Sequence, residues 1–197
     1  EIAEKFDNYY EGVEFNSGGV YLERLGRGNT KGTHRIVYFG DAANWGMKEG
    51  QKERSQNTLF WRNISEHIDS WGDAYSGRIL DYSGDVAPDH YGYVQIYEIA
   101  VSDPEKFISA HKKIVSQARE LMEDRPVAFG SFDIGIPNGA THFVAVGYKG
   151  VSDNIVMKSK IEQALAKERK EYFKNRGDVT NTGNFDLRIL KTYGSFN

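Results

Sequence analysis

A chain of 197 residues with 39% hydrophobic and 27% charged residues is long enough to bury a core without disulfides or metals, which excludes a disordered chain and a disulfide-stapled miniprotein. A formal charge of −3, from 25 Lys and Arg against 28 Asp and Glu, supplies no field to hold a polyanion, so general nucleic-acid binding is excluded. The absence of Cys removes thiol catalysis, thiolate metal sites and disulfides together, and no apolar run reaches the length of a membrane span. The chain opens on Glu1 rather than Met, so the expectation is that a leader or upstream segment has been removed; this would suit a secreted or periplasmic protein, although the compartment stays open.

In chain order, residues 1–10 place Ile2, Phe6, Tyr9 and Tyr10 on one side of a short helix. Val20 to Gly26 and His34 to Phe39 read as a hairpin, and Asp41 to Gln56 as an inserted loop carrying Trp45. Asn57 to Trp71 reads as a helix whose stripe is Phe60, Trp61, Ile64, His67, Ile68 and Trp71, and Ser76 to Tyr82 as a strand. Tyr93 to Val101, rich in β-branched and aromatic residues, is the next strand. The run Ser102-Asp103-Pro104-Glu105 then supplies a cap, a proline at the first helical position and an early acid. The helix that follows carries Phe107, Ala110, His111, Ile114, Ala118, Leu121 and Met122 on one stripe. Val127 to Ile136 and Thr141 to Tyr148 are strands joined through Pro137-Asn138-Gly139. A long helix from about Asp153 to Asn175 is stopped by Gly177, and Phe185 to Tyr193 is the last strand.

The chain also echoes itself. Gly32-Thr33-His34-Arg35-Ile36-Val37 returns 108 positions later as Ala140-Thr141-His142-Phe143-Val144-Ala145, and Arg78-Ile79-Leu80 returns 110 positions later as Arg188-Ile189-Leu190. Residues 89–197 spell βαββαβ, the ferredoxin-like unit, while residues 1–88 match it only from the first helix onward. The expectation is an α+β fold of two tandem ferredoxin-like units, the first lacking its opening strand, which an upstream segment or another chain would supply.

Two ferredoxin-like units with aromatic-rich strands resemble the dimeric α+β barrel superfamily, which includes monooxygenase, NIPSNAP-like, EthD-like and chlorite dismutase-like proteins. The resemblance is topological and spans nearly the whole chain without a subfamily motif. It implies two sheets packed as a barrel, a small, mainly apolar or aromatic ligand held between sheet and helices, and a homo-oligomer.

In a sheet of order 4-1-3-2, Glu98, His142 and Arg188 fall at one edge, with His34 and Arg78 at equivalent places in the first repeat. These are the candidate catalytic residues: an acid, imidazoles for proton transfer and a guanidinium to orient an anion. His111, Trp61, His67, Trp71 and Trp45 are the candidate ligand-binding residues. The bland reading is that the repeated Thr-His pair serves the turn, Glu98 and Arg188 form a structural pair, and the helix histidines belong to the core. No His pair stands at metal-ligand spacing, and the Gly-rich run Gly26 to Thr33 lacks the Gly-Lys-Ser/Thr order of a phosphate loop. The expected function is small-molecule binding, with oxidative or isomerising chemistry needing no cofactor as its catalytic form. The alternatives are a non-catalytic assembly protein that uses sheet edges and aromatic surface, and a haem protein ligated by His111.

Overall fold

The computed structural model describes residues 1–28, 30–84 and 91–195. The chain divides into two compact units, the first made of Glu1–Leu25, Lys31–Gly72 and Arg188–Asn197, the second of Gly26–Thr30 and Asp73–Leu187. The fold is mixed α+β with antiparallel strand pairing.

The first unit opens with α1 (Ile2–Tyr10), followed by β1 (Phe15–Ser17), the part of β2 (Gly19–Gly28) up to Leu25, β3 (His34–Phe39), β4 (Gly46–Met47) and α2 (Arg54–Ser65). Helix α1 buries Phe6, Tyr9 and Tyr10 against Phe60 and Ile64 of α2 and Val20 and Leu22 of β2. Phe60 stacks on Tyr9 at 4.3 Å and meets Phe6 edge-on at 5.2 Å, the geometries aromatic quadrupoles favour. Helix α2 starts three residues earlier than its apolar stripe suggests, because Glu53 and Gln56 form a reciprocal capping box inside the segment read as loop. It also ends earlier, at Ser65, which leaves His67 and Trp71 beyond the helix.

The second unit holds β5 (Ser76–Ser83), β6 (Tyr93–Val101), α3 (Pro104–Met122), β7 (Val127–Ile134), β8 (His142–Tyr148), α4 (Val151–Ala164), α5 (Ala166–Asn175) and the first part of β9 (Val179–Gly194). From β6 onward this is βαββαβ, and the strand order β9-β6-β8-β7 is the 4-1-3-2 arrangement expected from the sequence. Strand β5, read from sequence as the close of the first repeat, is hydrogen-bonded instead to β7, covering an edge that would otherwise be open.

Helix α3 begins where its cap dictates: Asp103 accepts from the Lys106 amide at 3.1 Å, and Pro104 occupies the first turn. The β7–β8 connection turns through Asn138 and Gly139, both with φ above 50°, a conformation that asparagine tolerates and glycine adopts freely. The predicted single helix after β8 breaks at Leu165, whose ψ of 33° ends α4 and opens α5. Two clusters fill the space between sheet and helices, one around Tyr93, Val115, Val146 and Met157 and the other around Ile99, Phe107 and Phe129. Phe107 and Phe129 are almost wholly buried, each adding about 1.5–3 kcal/mol relative to exposure.

Candidate functional site

Strand alternation sorts the second unit's polar side chains. Along β6, Tyr93, Tyr97, Ile99 and Val101 pack toward the helices, so Gln95 belongs to that row and Glu98 to the opposite one. Glu98 pairs across the ladder with Phe143, and Ile99 with His142. The sheet therefore separates Glu98 from His142 by face, although their strands are neighbours. Glu98 is buried and accepts a hydrogen bond from Asn138 Nδ2 at 2.8 Å.

On the helix-facing side, His142 stacks on Phe129 at 5.2 Å, and the other contacts of Phe129 include His111 and Phe107. Phe129 thus stands between the two imidazoles. His142 Nδ1 lies 2.8 Å from Thr141 Oγ1, and that oxygen also accepts from the Val101 amide. Its proton is best given to Nδ1, because its other acceptor, the Ile99 carbonyl, is 3.5 Å away; this fixes the tautomer with hydrogen on Nε2. Burial lowers the His142 pKa, opposed by the nearby Asp133 carboxylate. Asp133 is itself held below the carboxylate range by its hydrogen bond from Arg78 and by Ser131. For His111 burial is stronger and lowers the pKa to about 4, with Asp81 pulling the other way. Both histidines are neutral at pH 7.

A second assembly lies at the other end of the same side, where β6, β9 and residues 27–28 face α4. Arg27, Gly28, Tyr93, Gln95, Asn184 and Asp186, with one face of α4, line an open cleft of about 250 Å³. That face, Val151, Asn154, Ile155 and Lys158, recurs at helical spacing. Asp186 accepts from the Arg27 amide at 2.7 Å, from Arg27 Nη1 at 3.0 Å and from the Tyr93 hydroxyl at 2.5 Å. Burial pushes the Asp186 pKa up, but these hydrogen bonds prevail and hold it below its ordinary value. Burial and the Asp186 hydrogen bond push the Tyr93 hydroxyl up to about 12. Gln95 donates to the Phe185 carbonyl at 3.2 Å and to Asn184 Oδ1 at 3.4 Å, and accepts from Asn154 Nδ2 at 3.4 Å. These groups bind and orient; with Tyr93 held protonated and Asp186 saturated with donors, the cleft carries no free carboxylate or phenolate to act as a base.

Of the sequence candidates, His111 and His142 are brought together around Phe129, and Arg78 reaches this neighbourhood through Asp133. In the first unit, His34 is exposed at the start of β3, its Nδ1 3.0 Å from Thr33 Oγ1, the same contact as in the Thr141-His142 pair. Arg188 is exposed on β9. Trp45 and Trp71 are 56% and 62% exposed, Trp61 packs against Phe60 and Trp71, and His67 lies 3.7 Å from Glu1. None of these residues lines the cleft. Sequence reasoning passed over Gln95, Asn154, Asn184 and Asp186. The available signal was polarity out of phase: Gln95 interrupts the helix-facing row of β6, and Asn154 sits at the inner spacing of α4.

Among the described residues no cluster of His, Asp and Glu could hold a metal ion, and no helix is long and apolar enough to cross a membrane. The haem alternative fares poorly at His111. Its Nε2 is buried without a hydrogen-bond partner, as a ligating atom would be, but the ring is packed against Phe107 and Phe129 and lines neither this cleft nor the groove between α3 and α5. The residues present do not fit that group.

No protein-family model matches the chain, and no curated protein matches its sequence. Solved structures do match its fold. A proposed monooxygenase of Fusobacterium nucleatum aligns over 98% of this chain and 85% of its own, at TM-score 0.62 and 15% identity. A proposed monooxygenase of Lactobacillus acidophilus aligns over 98% and 86%, at 0.60 and 13%. An anthrone oxidase-like protein aligns over 100% and 87%, at 0.57 and 9%. This chain has their α+β fold.

Proposed function

We propose that this protein binds a small molecule in the second unit, in the cleft between β6, β9 and α4. One observation carries the reading: Tyr93, Gln95, Asn154 and Asp186, each less than a tenth exposed, line a single cleft of about 250 Å³. Buried polar side chains are costly unless satisfied, and a concave site with a few convergent polar groups is the usual form of a ligand pocket. The ligand expected from sequence was mainly apolar. These walls instead suit a molecule with a polar end, its apolar part against Val151 and Ile155. The test is a fragment screen by thermal unfolding and by NMR of the side-chain amides. Bound fragments should shift the Gln95, Asn154 and Asn184 amide signals, and a ligand at a hundredfold its Kd should stabilise the protein by about 2.7 kcal/mol. Replacing both partners, Gln95→Leu with Asn154→Leu, should abolish the shift of the remaining Asn184 amide signal and the ligand's stabilisation, while the loss of the Gln95 hydrogen bonds to the Phe185 carbonyl and Asn184 Oδ1 lowers Tm without unfolding the protein. Fragments that bind without touching these signals would remove the cleft from the function.

A second reading, proton transfer at His142, is favoured by the neutral imidazole next to the Asp133 carboxylate, which would stabilise the imidazolium. It is the step that isomerisation, or oxidation without a cofactor, would require. Once a substrate is found, His142→Ala should abolish turnover, with a fall in Tm from the lost stacking on Phe129; full turnover in the folded variant would end this reading.

A further inference from the structure

Counting donors and acceptors around the cleft leaves an excess of donors. Asp186, the one carboxylate in the lining, has its charge answered by Arg27 and three hydrogen bonds directed at it. The Gln95 amide spends its N–H groups on Asn184 and Phe185, and its oxygen on Asn154. What remains is mostly positive or donating. The Asn184 Nδ2 group makes no hydrogen bond within the described residues, and Asn154 Nδ2 has used one of its two hydrogens. Lys158 lies 5.4 Å over the Tyr97 ring with no carboxylate within ion-pair distance among the described residues. A partly buried lysine whose ammonium has only an aromatic face for company is free to take an anion.

Resting on the binding role argued above, we propose that the ligand is a small carboxylic acid, its carboxylate held by Lys158 and the Asn184 and Asn154 amides and its apolar portion laid against Val151 and Ile155. Arg27, 73% exposed in its side chain and committed to Asp186, stands at the rim and adds to the attraction without being the principal contact. Free Asp186 would repel such a ligand; paired as it is, it instead fixes the wall on which Asn184 is carried.

The experiment uses matched pairs that differ only in charge: benzoate with benzamide, 4-hydroxybenzoate with 4-hydroxybenzamide, and hexanoate with hexanamide. Each is titrated into the full chain and followed by the side-chain amide signals of Gln95, Asn154 and Asn184. The acids should bind and their amides should not. Lys158→Gln should weaken the acids by about tenfold, the equivalent of 1.4 kcal/mol, and added salt should weaken wild-type binding but affect the variant less. Asn184→Asp, which places a second carboxylate on the same wall, should weaken them further. If the amides bind at these signals as tightly as the acids, or if Lys158→Gln leaves acid binding unchanged, the carboxylate assignment is overturned and the binding role stands. If neither member of any pair moves these signals, both fall together.

Discussion

The burial of His111 should drain stability from this protein as the pH falls from 6.5 to about 4. The imidazole is 5% exposed, packed against Phe107 and Phe129, and its Nε2 has no hydrogen-bond partner, so a charge there would carry a desolvation cost that no hydrogen bond at Nε2 offsets. Burial lowers its pKa from 6.5 to about 4, with Asp81 offsetting part of the effect. The sign follows from which state binds the proton first. Above pH 6.5 both states are neutral; between 6.5 and about 4 only the unfolded chain takes up the proton, so stability drains away as the pH falls; below about 4 both are protonated and the loss stops. At 1.36 kcal/mol per unit, the contribution lost across that window is about 3 kcal/mol. For a chain of this size that corresponds to a fall of about 6–12 °C in Tm. The assay is thermal or urea unfolding at stepped pH for wild type and for His111→Leu, with the His111 Cε1 proton followed by NMR in the wild type. The variant is less stable at pH 7 through lost ring contacts, but its curve should be flatter between pH 6.5 and 4 by the stated amount. Parallel curves, or an NMR titration midpoint near 6.5, would refute the reasoning.

Two further substitutions probe the second unit. Asp186→Asn removes the partner that helps hold the Tyr93 proton, so the Tyr93 pKa should fall from about 12, read by the phenolate absorbance on alkaline titration, while Arg27 loses its ion pair. An unchanged tyrosine midpoint would mean that burial alone sets it. Gly183→Ala would place a methyl 2.6 Å from Glu98 Oε2 and disturb the Glu98–Asn138 hydrogen bond, costing about 1–3 kcal/mol as other overpacking changes do, measured as a loss in Tm; a Tm equal to wild type would contradict that close approach.

The second unit was legible because its signals are local and agree with one another. Asp103-Pro104 fixes the start of α3, Asn138-Gly139 the turn before β8, and the alternating strand residues the sheet. What escaped depends on partners far along the chain. Nothing within Ser76–Ser83 names β7 as its neighbour, and nothing in Ala164-Leu165-Ala166 marks a break, since no proline or glycine stands there. The capping box at Glu53 and Gln56 was readable but lay inside a charged run taken for a loop. For the site, sequence drew attention to histidines and tryptophans because those side chains do chemistry. The face each residue occupies mattered more: Glu98 and His142 stand on adjacent strands yet point opposite ways, whereas Gln95 and Asn154, amides without reactive chemistry, meet at one wall.

The attachment of β5 to β7 carries a kinetic corollary. Strands β7 and β8 are joined by a short turn and can zip as soon as that turn closes, while β5 must find its place across an intervening strand and helix, a far longer excursion of the backbone. It therefore joins after the β7–β8 hairpin during refolding and, standing at the end of the strand order, peels away before it, so amide exchange should run faster along β5 than along β8.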